Sequence, residues 1–596
     1  MLKIFQTLCL LFLVTALFAQ DRSVVTKKVG IQKLDNCETV INSFQPLFNH
    51  PTLHNRFAPA GTVPFPINYN DYATNGNNMR KLFVLGDTVV VAQDINGDNT
   101  NPPPPIVYPS RVQYNVSYNG GLTWLTDALN TGGSTANRWP NIFPIYVSGL
   151  RTLISTGRLY ITNTSTAGQG TAFVEQLLGL GSFNFYSLPT RFYRDYFGYI
   201  KNSTTIGGVI PAGTGAATDS LFYAEFNFVT NTFSTPVLIA PAMNTSYRTY
   251  SAISSDGQRV FAAWHDQVAY VLNAYESTNG GASFTGPIAV GPATQDSAWL
   301  MADVVYKPNS TQRCMAFSTL GSYDGYRSRS KILFWSPTIN GGNPTVIADF
   351  TKYPFMLDSV AFFTAFDNTT DVQYSFRPFS VPSLSWSDDG TVLYCAFNAV
   401  QPDTSTYSTG TNYHFQDILI SKSLDNGATW SPLRYVTHTA KVDELYPSVS
   451  KTGNTSTTFN ITWNQSNSPG SYTFTQNAPI DTTYTIFKKL VFSDLPPVGI
   501  TNISSQVPTS YSLMQNYPNP FNPTTTIRFT LPKASLVTIK VYNIAGQLVE
   551  ILANNESASI GTKEVKFSGE NLSSGIYFYT LEAGNFKETK KMMLIK

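Results

Sequence analysis

Short apolar runs recur through the middle of the chain, separated by turns rich in Asp, Asn, Gly and Ser. In the two clearest cases Ser255-Asp256-Gly257 precedes the run Val260–Trp264, and Asp388-Asp389-Gly390 precedes the run Leu393–Phe397. A weaker copy extends from Gln312 to Phe317. A tight Asp-Gly turn followed by β-branched and aromatic residues is typical of a hairpin and its second strand. The pattern therefore predicts antiparallel sheets.

A second turn string occurs three times in one register. It reads S-x-D-x-G-x-T-W at 423–430 and has similar forms at 117–124 and 277–284. In such a string Asp or Asn caps the loop amides, Gly adopts a positive φ, and the aromatic residue packs between the sheets. The positions concerned are Ser117, Asn119, Gly121, Thr123, Trp124, Ser277, Asn279, Gly281, Phe284, Ser423, Asp425, Gly427, Thr429 and Trp430. The strings resemble the Asp-box (BNR) repeats of sialidase-like β-propellers, where they are structural.

The two kinds of turn give a repeating order of strand, Asp-Gly turn, strand, Asp-box hairpin and strand. This order is the four-stranded sheet of one propeller blade. Segments that precede a first strand lie near seven positions, namely Arg80, Arg138, Arg194, Arg248, Trp299, Arg377 and Tyr446. We therefore expect an all-β chain with a β-propeller over residues 78–495 and favour seven blades. Six blades remain open if the weakly marked stretch 190–240 is not a complete blade.

The last part of the chain has a different composition. Residues 496–511 are rich in Pro, Ser and Thr and predict a linker, whereas the alternating strands of 512–596 predict a small β-sandwich. The strings NYPNPFNPTTTIRF at 516–529 and KKMMLIK at 590–596 resemble the type A C-terminal sorting domain of the type IX (Por) secretion system. Phe567 stands where that family usually has Trp, and we expect it to be an apolar core residue.

The resemblance to a sorting domain implies a destination. It implies a Gram-negative bacterium of the Bacteroidetes–Chlorobi type, with the type IX secretion machinery as a partner. The protein would be carried across the outer membrane and then be secreted or held at the cell surface. Such a domain is an address that a receptor reads, so no catalytic residue carries over with it.

The first 19 residues predict a signal peptide. Lys3 gives a positive start, residues 4–18 are mostly apolar, and Ala19 offers a small residue for cleavage. The alternative is an uncleaved membrane anchor, but a run of roughly fifteen residues is short for a bilayer span. Residues 20–77 would form an N-terminal extension. No later apolar stretch is long enough to span a membrane, so we expect no transmembrane segment in the mature chain.

Composition and charge narrow the function. The 39 Lys and Arg nearly balance the 37 Asp and Glu, giving a net charge of +2, so a nucleic-acid partner is not expected. The five histidines show no zinc-binding spacing. Residues 94–101 alternate oxygen ligands, but Asn99 and Pro105 stand where an EF-hand needs Gly and Glu. We expect a surface turn and no metal or other cofactor, with a different calcium loop as the alternative.

Glycoside hydrolysis by sialidase-like propellers uses three Arg, a Tyr–Glu nucleophile pair and an Asp, and the first Arg usually lies in an R-[IL]-P motif. The nearest string here is Arg56-Phe57-Ala58-Pro59, which has an extra residue and lacks the aliphatic one. The resemblance in the Asp-boxes therefore does not bring the catalytic site with it, since fold alone does not imply function. We assign no catalytic residue.

The loops before the innermost strands surround one mouth of a propeller's central channel. Here they are rich in Arg, which binds carboxylate or sulfate through two parallel hydrogen bonds, and in aromatic residues, which stack on sugar faces. The predicted ligand-binding residues are Arg138, Trp139, Arg194, Tyr196, Tyr247, Arg248, Trp299, Arg377 and Tyr446. The alternative is that these arginines pair with Asp195, Glu444 and backbone carbonyls and merely close the channel.

These observations predict an exported β-propeller that acts as a binding or adhesion protein, with a carbohydrate or another surface protein as its partner. The rival interpretation is a secreted sialidase-like glycoside hydrolase. A complete set of three Arg, a Tyr–Glu pair and an Asp at the channel mouth would favour the enzyme. Arginine and aromatic residues alone would favour binding.

Overall fold

The structure is a computed structural model, and it describes residues 61–68, 80–96, 110–129, 136–147, 150–160, 168–175, 183–189, 192, 196–212, 219–243, 249–266, 271–290, 298–319, 330–349, 379–406, 412–439, 441–467, 483–495, 498, 501–504, 508–533, 535–558, 560–569 and 572–596. The predicted signal peptide, the Arg56–Pro59 string and residues 97–101 lie outside these ranges.

The described residues between 62 and 491 form seven antiparallel sheets, six of them built from strands that follow one another along the chain. The strands are β1 (Thr62–Asn68), β2 (Leu82–Leu85), β3 (Thr88–Asn96), β4 (Ser110–Ser117), β5 (Leu125–Leu129), β6 (Ala136–Val147), β7 (Leu150–Tyr160), β8 (Gly168–Glu175), β9 (Phe183–Ser187), β10 (Phe197–Ile200), β11 (Thr205–Ala212), β12 (Asp219–Asn227), β13 (Thr232–Phe233), β14 (Val237–Met243), β15 (Thr249–Ile253), β16 (Val260–Asp266), β17 (Val271–Ser277), β18 (Thr285–Val290), β19 (Ala298–Tyr306), β20 (Arg313–Thr319), β21 (Ile332–Trp335), β22 (Thr345–Ala348), β23 (Phe379–Trp386), β24 (Leu393–Thr406), β25 (Asn412–Ser423), β26 (Arg434–Tyr435), β27 (Asp443–Val449), β28 (Thr458–Ser466) and β29 (Thr483–Val491).

The first sheet is β2–β5, and the second to sixth sheets begin with β6, β10, β15, β19 and β23. The seventh sheet is β27–β28–β29 with β1 as its fourth strand. Within each sheet the first strand in this order is the innermost. Where the Asp-Gly turns and the repeated turn strings occur, they join strands that are adjacent in space, and such short connections make the paired strands antiparallel. The stretch 190–240, the weakly marked one, contributes the third sheet, in which β13 and β14 both pair with β12.

Each sheet contacts the next, and the seventh returns to the first. At the returning contact Thr452 Oγ1 donates a hydrogen bond to the carbonyl oxygen of Val84 at 2.6 Å. Residues 62–68, expected to belong to a separate extension, pair with β29 instead. The propeller therefore begins earlier than residue 78, because its last sheet needs a strand from the N-terminal side to become four-stranded.

The hydrophobic core is divided among the junctions between neighbouring sheets. One apolar cluster lies at each junction, for example Phe334 with Trp386 and Phe397 between the fifth and sixth sheets. At the closing junction Val63 and Phe487 of the seventh sheet pack near Leu82 of the first. Burial of apolar side chains between neighbours is thus what holds the ring together.

The three repeated turn strings form the same hydrogen bonds. In the 423–430 turn, Ser423 Oγ donates to Asp425 Oδ1 at 2.8 Å and accepts from the amide of Gly427 at 2.7 Å. The amide of Thr429 donates to Asp425 Oδ1 at 2.8 Å. The turns at 117–124 and 277–284 repeat these bonds with Asn in place of Asp.

The glycine and the aromatic residue of each turn contact the preceding sheet in the ring. Gly427 has a φ of +95°, and a Cβ atom there would lie 2.1 Å from the ring of Phe334. The Trp430 ring lies 5.4 Å from the same phenylalanine, edge to face. Because Phe334 belongs to the fifth sheet and the turn to the sixth, each string also fixes a junction between sheets.

A separate sandwich follows the ring. Its strands are β30 (Thr501–Ser504), β31 (Ser512–Leu513), β32 (Thr524–Leu531), β33 (Ser535–Asn543), β34 (Leu548–Ala558), β35 (Gly561–Ser568), β36 (Gly575–Ala583) and β37 (Phe586–Leu594). One sheet has the order β30-β35-β32-β31 and the other β34-β33-β36-β37. Phe567 is 1% exposed and its ring lies 5.7 Å from that of Phe521, so it is an apolar core residue.

Part of the expected linker belongs to these two regions. Val498 donates its amide to the carbonyl oxygen of Leu433 in the ring at 2.8 Å, while β30 pairs with β35 of the sandwich. Arg434 of the ring also forms an ion pair with Glu550 of the sandwich. In the described part of the chain, no helix has the length and apolar character needed to cross a membrane.

Candidate functional site

Two innermost strands bulge toward the centre of the ring. The pairing register jumps between Ser380 and Ser383 in β23 and between Leu445 and Ser448 in β27. Within these bulges Val381 has a φ of +53° and Tyr446 a φ of +59°. Positive φ is uncommon outside glycine and is a true outlier for a β-branched residue, costing about 1–3 kcal/mol each.

Both bulged residues precede a proline, Pro382 or Pro447. The strand β6 has a register jump at the corresponding dipeptide, Trp139-Pro140. Proline removes one ladder hydrogen bond, so it is accommodated where the pairing is already broken. Backbone strain of this kind concentrates at sites that bind or react, which directs attention to the space that the bulges face.

That space is a small cavity that opens to solvent, and we call it the central cavity. Its walls come from the innermost strands of the first, third, fourth, fifth, sixth and seventh sheets or from residues beside them. The charged and aromatic lining residues are Arg80, Lys81, Tyr199, Tyr250, Asp303, Tyr446 and Lys451. Three cations and one carboxylate give the described lining a positive balance.

Arg80 and Lys81 are consecutive residues just before β2, and each lies over a tyrosine ring. The guanidinium carbon of Arg80 is 3.9 Å from the ring centre of Tyr199, and Lys81 Nζ is 5.4 Å from that of Tyr446. Such cation–π contacts are stronger where water is excluded. Burial lowers the pKa of Arg80, an effect opposed by Tyr199 and Asp303, and burial raises the pKa of Tyr199.

The backbone beside these cations is also fixed. The amide of Arg80 donates to Asn141 Oδ1 at 2.5 Å, and its carbonyl oxygen accepts from the amide of Ile142. The carbonyl oxygen of Lys81 accepts from the amide of Ala92 at 2.8 Å. Among the described residues no carboxylate forms an ion pair with Arg80. The backbone hydrogen bonds and the contact with the Tyr199 ring therefore hold the Arg80 side chain beside the cavity.

Asp303 and Lys451, which also line the cavity, form an ion pair with each other. Lys451 Nζ also donates to the carbonyl oxygen of Leu384, and the amide of Leu384 donates to Asp303 Oδ2 at 2.8 Å. These three residues belong to the fifth, sixth and seventh sheets. Burial lowers the pKa of Lys451, while the nearby Asp303 acts in the opposite direction.

Asn398 holds the bulge that carries Tyr446. Its Nδ2 donates to the carbonyl oxygen of Glu444 at 2.7 Å, and its Oδ1 accepts from the amide of Tyr446 at 3.1 Å. Asn398 is completely buried. The second strand of the sixth sheet thus stabilises the strained backbone of the seventh.

A group of buried carboxyls lies close to this bulge. Glu444 and Asp417 are 2% and 0% exposed, and His438 Nδ1 lies 3.3 Å from Asp417 Oδ2. Burial and the neighbouring Asp417 raise the pKa of Glu444 well above its usual range. The described residues contain no group of three or more His, Cys, Asp and Glu side chains arranged to hold a metal ion.

Of the nine residues predicted to bind a ligand, the structure places Tyr446 on the cavity wall. Tyr196 lies elsewhere: it is fully buried, and its hydroxyl donates to the carbonyl oxygen of Ala224 at 3.0 Å. Its ring packs 5.2 Å from Phe233 in the core, so it is not available to a ligand. The other predictions fall outside what is described: the side chains of Arg138, Trp139 and Trp299, and the whole of Arg194, Tyr247, Arg248 and Arg377.

The sequence patterns did not indicate several of the lining residues, namely Lys81, Tyr199, Tyr250, Asp303 and Lys451. A usable signal was the X-Pro dipeptide inside three innermost strands, since proline in a strand marks an edge or a bulge. The single described carboxylate of the lining, Asp303, is engaged by Lys451. The described lining contains no Tyr–Glu pair.

Residues 515–596 match the family described as the secretion system C-terminal sorting domain. The sandwich is a type IX sorting domain. It directs the protein through type IX secretion to the cell surface or into the medium. A search among curated proteins found no match.

Solved structures with a similar course of the chain include β-propellers and carbohydrate-active proteins. A polysaccharide lyase of family PL25, an ulvan lyase bound to -[GlcA(1-4)Rha3S]-, has a TM-score of 0.44 at 10% identity, covering 72% of this chain and 97% of the lyase. The β-propeller domain of the trilobed protease from Pyrococcus furiosus has a TM-score of 0.26 at 8% identity, covering 67% and 93%. The GH43 endo-arabinanase from Bacillus licheniformis has a TM-score of 0.23 at 11% identity, covering 47% and 92%.

Proposed function

We propose that this exported β-propeller is an extracellular binding protein that holds acidic glycans in the central cavity. The observation that carries the proposal is the arrangement of Arg80, whose guanidinium lies on the ring of Tyr199 beside the cavity and is paired with no carboxylate of the described chain. A planar guanidinium recognises carboxylate or sulfate through two parallel hydrogen bonds.

Charge supports the same proposal. Lys81 adds a second cation on another side of the cavity, whereas the charge of Asp303 is largely balanced by Lys451. The walls are mostly buried, so an entering anion meets these cations with little intervening water, where electrostatic attraction is stronger than in bulk solvent. The tyrosines Tyr199, Tyr250 and Tyr446 are at most 5% exposed, so they form the packed wall behind the cations and are not faces on which a sugar stacks.

The rival function, glycoside hydrolysis by sialidase-like chemistry, requires a nucleophilic Tyr activated by Glu and a separate acid. In the described lining, Asp303 is the single carboxylate and already accepts two hydrogen bonds on Oδ2. The tyrosine beside Arg80 has a raised pKa, which makes it a poorer nucleophile at neutral pH. These features favour binding over hydrolysis.

The test is a glycan array probed with the purified full-length protein, followed by affinity measurements on the glycans retained. We expect acidic glycans to be retained over neutral ones, and Arg80→Gln to weaken binding by about 1.5–3 kcal/mol, the range for hydrogen bonds to charged groups. Arg80→Lys should recover part of the loss, because it restores charge but not the planar pair of donors. Arg528→Gln, an exposed arginine of the sorting domain, is the matched control.

Three outcomes would contradict the proposal. Acidic glycans could fail to be retained over neutral ones, or Arg80→Gln could bind as well as the Arg528→Gln control. Release of a cleaved sugar from a bound glycan would favour the hydrolase instead. Loss of binding with rising salt is expected, since part of the attraction is screened over a Debye length of about 8 Å.

A further inference from the structure

One carboxylate oxygen of Asp303 accepts hydrogen bonds from the protein, and the other accepts none from the described residues. Its Oδ2 accepts hydrogen bonds from the amide of Leu384 at 2.8 Å and from Lys451 Nζ. Among the described residues nothing donates to Oδ1, and the side chain is 15% exposed on the wall of the central cavity. An ionised carboxylate has about four lone-pair sites, so Oδ1 keeps its capacity to accept a hydrogen bond.

The same carboxylate lies within electrostatic reach of the cationic wall. The charge of Asp303 opposes the lowering of the pKa of Arg80 and helps to raise the pKa of Tyr199. A strong acceptor and a strong, planar donor therefore line one small cavity. A ligand that occupies it meets both groups.

We propose that Asp303 makes the central cavity selective for an anion that also carries hydroxyl groups, such as a uronic acid unit of a glycan, over a bare inorganic anion. This inference rests on the proposed function, which it deepens by naming the ligand class. A bare anion gains from Arg80 and Lys81 but has no hydroxyl to donate, so it leaves the Oδ1 lone pairs of Asp303 without a hydrogen bond. A hydroxylated anion gives Arg80 its negative group and donates a hydroxyl to Oδ1.

A neutral sugar fails for the opposite reason. It can donate a hydroxyl to Asp303 but leaves Arg80 without an anionic partner in a site where water is largely excluded. Sites built to hydrogen-bond a group reject analogues that lack it, because their own buried polar atoms are then left unpaired. The cavity is thus selective because a bare anion and a neutral sugar each leave one of its polar groups without a partner.

The position of Asp303 is fixed before any ligand arrives. Leu384 and Lys451 hold Oδ2 from two neighbouring sheets, so the carboxylate plane does not have to be ordered on binding. Such preorganisation reduces the entropic cost of binding and sharpens selectivity. This distinguishes Asp303 from a flexible surface carboxylate.

The experiment uses the full-length protein and isothermal titration calorimetry with three probes. These are an oligosaccharide that contains glucuronic acid, the same oligosaccharide with its carboxyl groups reduced to alcohols, and inorganic sulfate. We expect the unreduced oligosaccharide to bind at least about tenfold more tightly than either of the others, a difference of about 1.4 kcal/mol. This comparison needs no variant.

The variant Asp303→Asn tests the residue itself. Its amide oxygen would face Leu384 and Lys451, since both donate, and its NH2 group would then face the cavity as a donor. We expect about a tenfold loss of affinity for the uronic acid oligosaccharide and unchanged or tighter binding of sulfate. Arg80→Gln should weaken both anionic probes together.

Failure of this inference differs from failure of the proposed function. If neither anionic probe binds, the proposed function falls. If sulfate binds as tightly as the oligosaccharide, or if Asp303→Asn weakens both anions alike, anion binding stands and the role of Asp303 is wrong. Should the variant lose its cooperative melting transition, the three-probe comparison on the unmodified protein decides alone.

Discussion

The sandwich and the inner wall of the propeller are both antiparallel β-structure, but they bury their residues in different ways. In β32 of the sorting domain, buried and accessible positions alternate, so one face meets the core and the other meets solvent. In β23 and β27 of the propeller, every position is buried. A strand that is enclosed on both faces shows no alternation of buried and exposed residues. Its polar residues can therefore line the cavity instead of facing bulk solvent.

The two regions also differ in where their charged side chains lie. The core of the sorting domain is an apolar cluster, and its ion pair Arg528–Glu564 lies at the surface with the arginine side chain 56% exposed. In the propeller, Lys451 and Asp303 are each 15% exposed. The ring gains its stability at the junctions between sheets, which leaves the innermost strands able to hold charge and backbone strain.

The largest expected effect separates the two regions by task. Deletion of residues 501–596 removes the sorting domain together with β30, which pairs with it. We expect export to be abolished while the propeller folds and keeps its ligand affinity, as measured by fractionation of cells and by calorimetry. The full chain carrying Arg80→Gln is the control and should be exported normally. Wild-type levels of the truncated protein outside the cell would contradict this division.

The next effect compares two ion pairs. Lys451→Ala leaves the carboxylate of Asp303 buried without its partner, which should lower the free energy of unfolding by about 3–5 kcal/mol. Arg528→Ala breaks an exposed pair and should lower it by less than about 1 kcal/mol. Calorimetric melting of both variants measures the difference. Equal, small shifts would mean that Lys451 and Asp303 are solvated in solution.

Two glycines give a smaller, closely matched comparison. Gly427 in the propeller and Gly546 in the sorting domain have φ values of +95° and +75°, but a Cβ atom would meet Phe334 at 2.1 Å in the first and nothing within 4 Å in the second. Positive φ alone costs an alanine about 1–2 kcal/mol. Overpacking adds about 1–3 kcal/mol. Chemical denaturation should therefore show a larger loss for Gly427→Ala than for Gly546→Ala, and the reverse order would contradict the contact between sheets.

The smallest expected effect is a dependence on pH. The fold raises the pKa of Glu444 by burial and by the nearby Asp417, so its stabilising contribution is present below the unfolded pKa and is lost as pH rises through the folded pKa. Melting temperature should thus fall with rising pH more steeply in the wild type than in Glu444→Gln.

Asp425 is a control, because its contribution to stability depends on pH in the opposite direction. Burial raises its pKa, but hydrogen bonds from Thr429 and Ser423 lower it by more, so its contribution is lost as pH falls. Asp425→Asn should flatten the acid side of the melting curve rather than the alkaline side. A Glu444→Gln curve parallel to that of the wild type would show that Glu444 does not titrate in the folded protein.

The turns and the sandwich could be predicted from sequence because their signals are local. Strings such as 423–430 contain every group that makes their hydrogen bonds. Phe567 lies in a strand along which buried and more accessible positions alternate. The sorting domain was likewise recognisable from one continuous motif. Local consistency of this kind is what sequence reasoning detects best.

The cavity could not be predicted in the same way because its residues come from six sheets, and Arg80 and Lys451 are far apart in the chain. A small error of register also mattered. Tyr196 and Tyr199 differ by three positions, and both side chains belong to the apolar cluster between the second and third sheets. Of the two, Tyr199 also lines the cavity.

The pairing of β1 with β29 sets the order in which the molecule can be completed. Val63 lies opposite Thr485, so the last sheet cannot gain its fourth strand until nearly the whole ring has been synthesised. Closing so long a loop is entropically costly, and pairing between distant segments slows folding. Six sheets can form as the chain is synthesised, but ring closure must wait for a segment that lies just ahead of the sorting domain. The cavity and the export address therefore become complete at almost the same moment in the life of the chain.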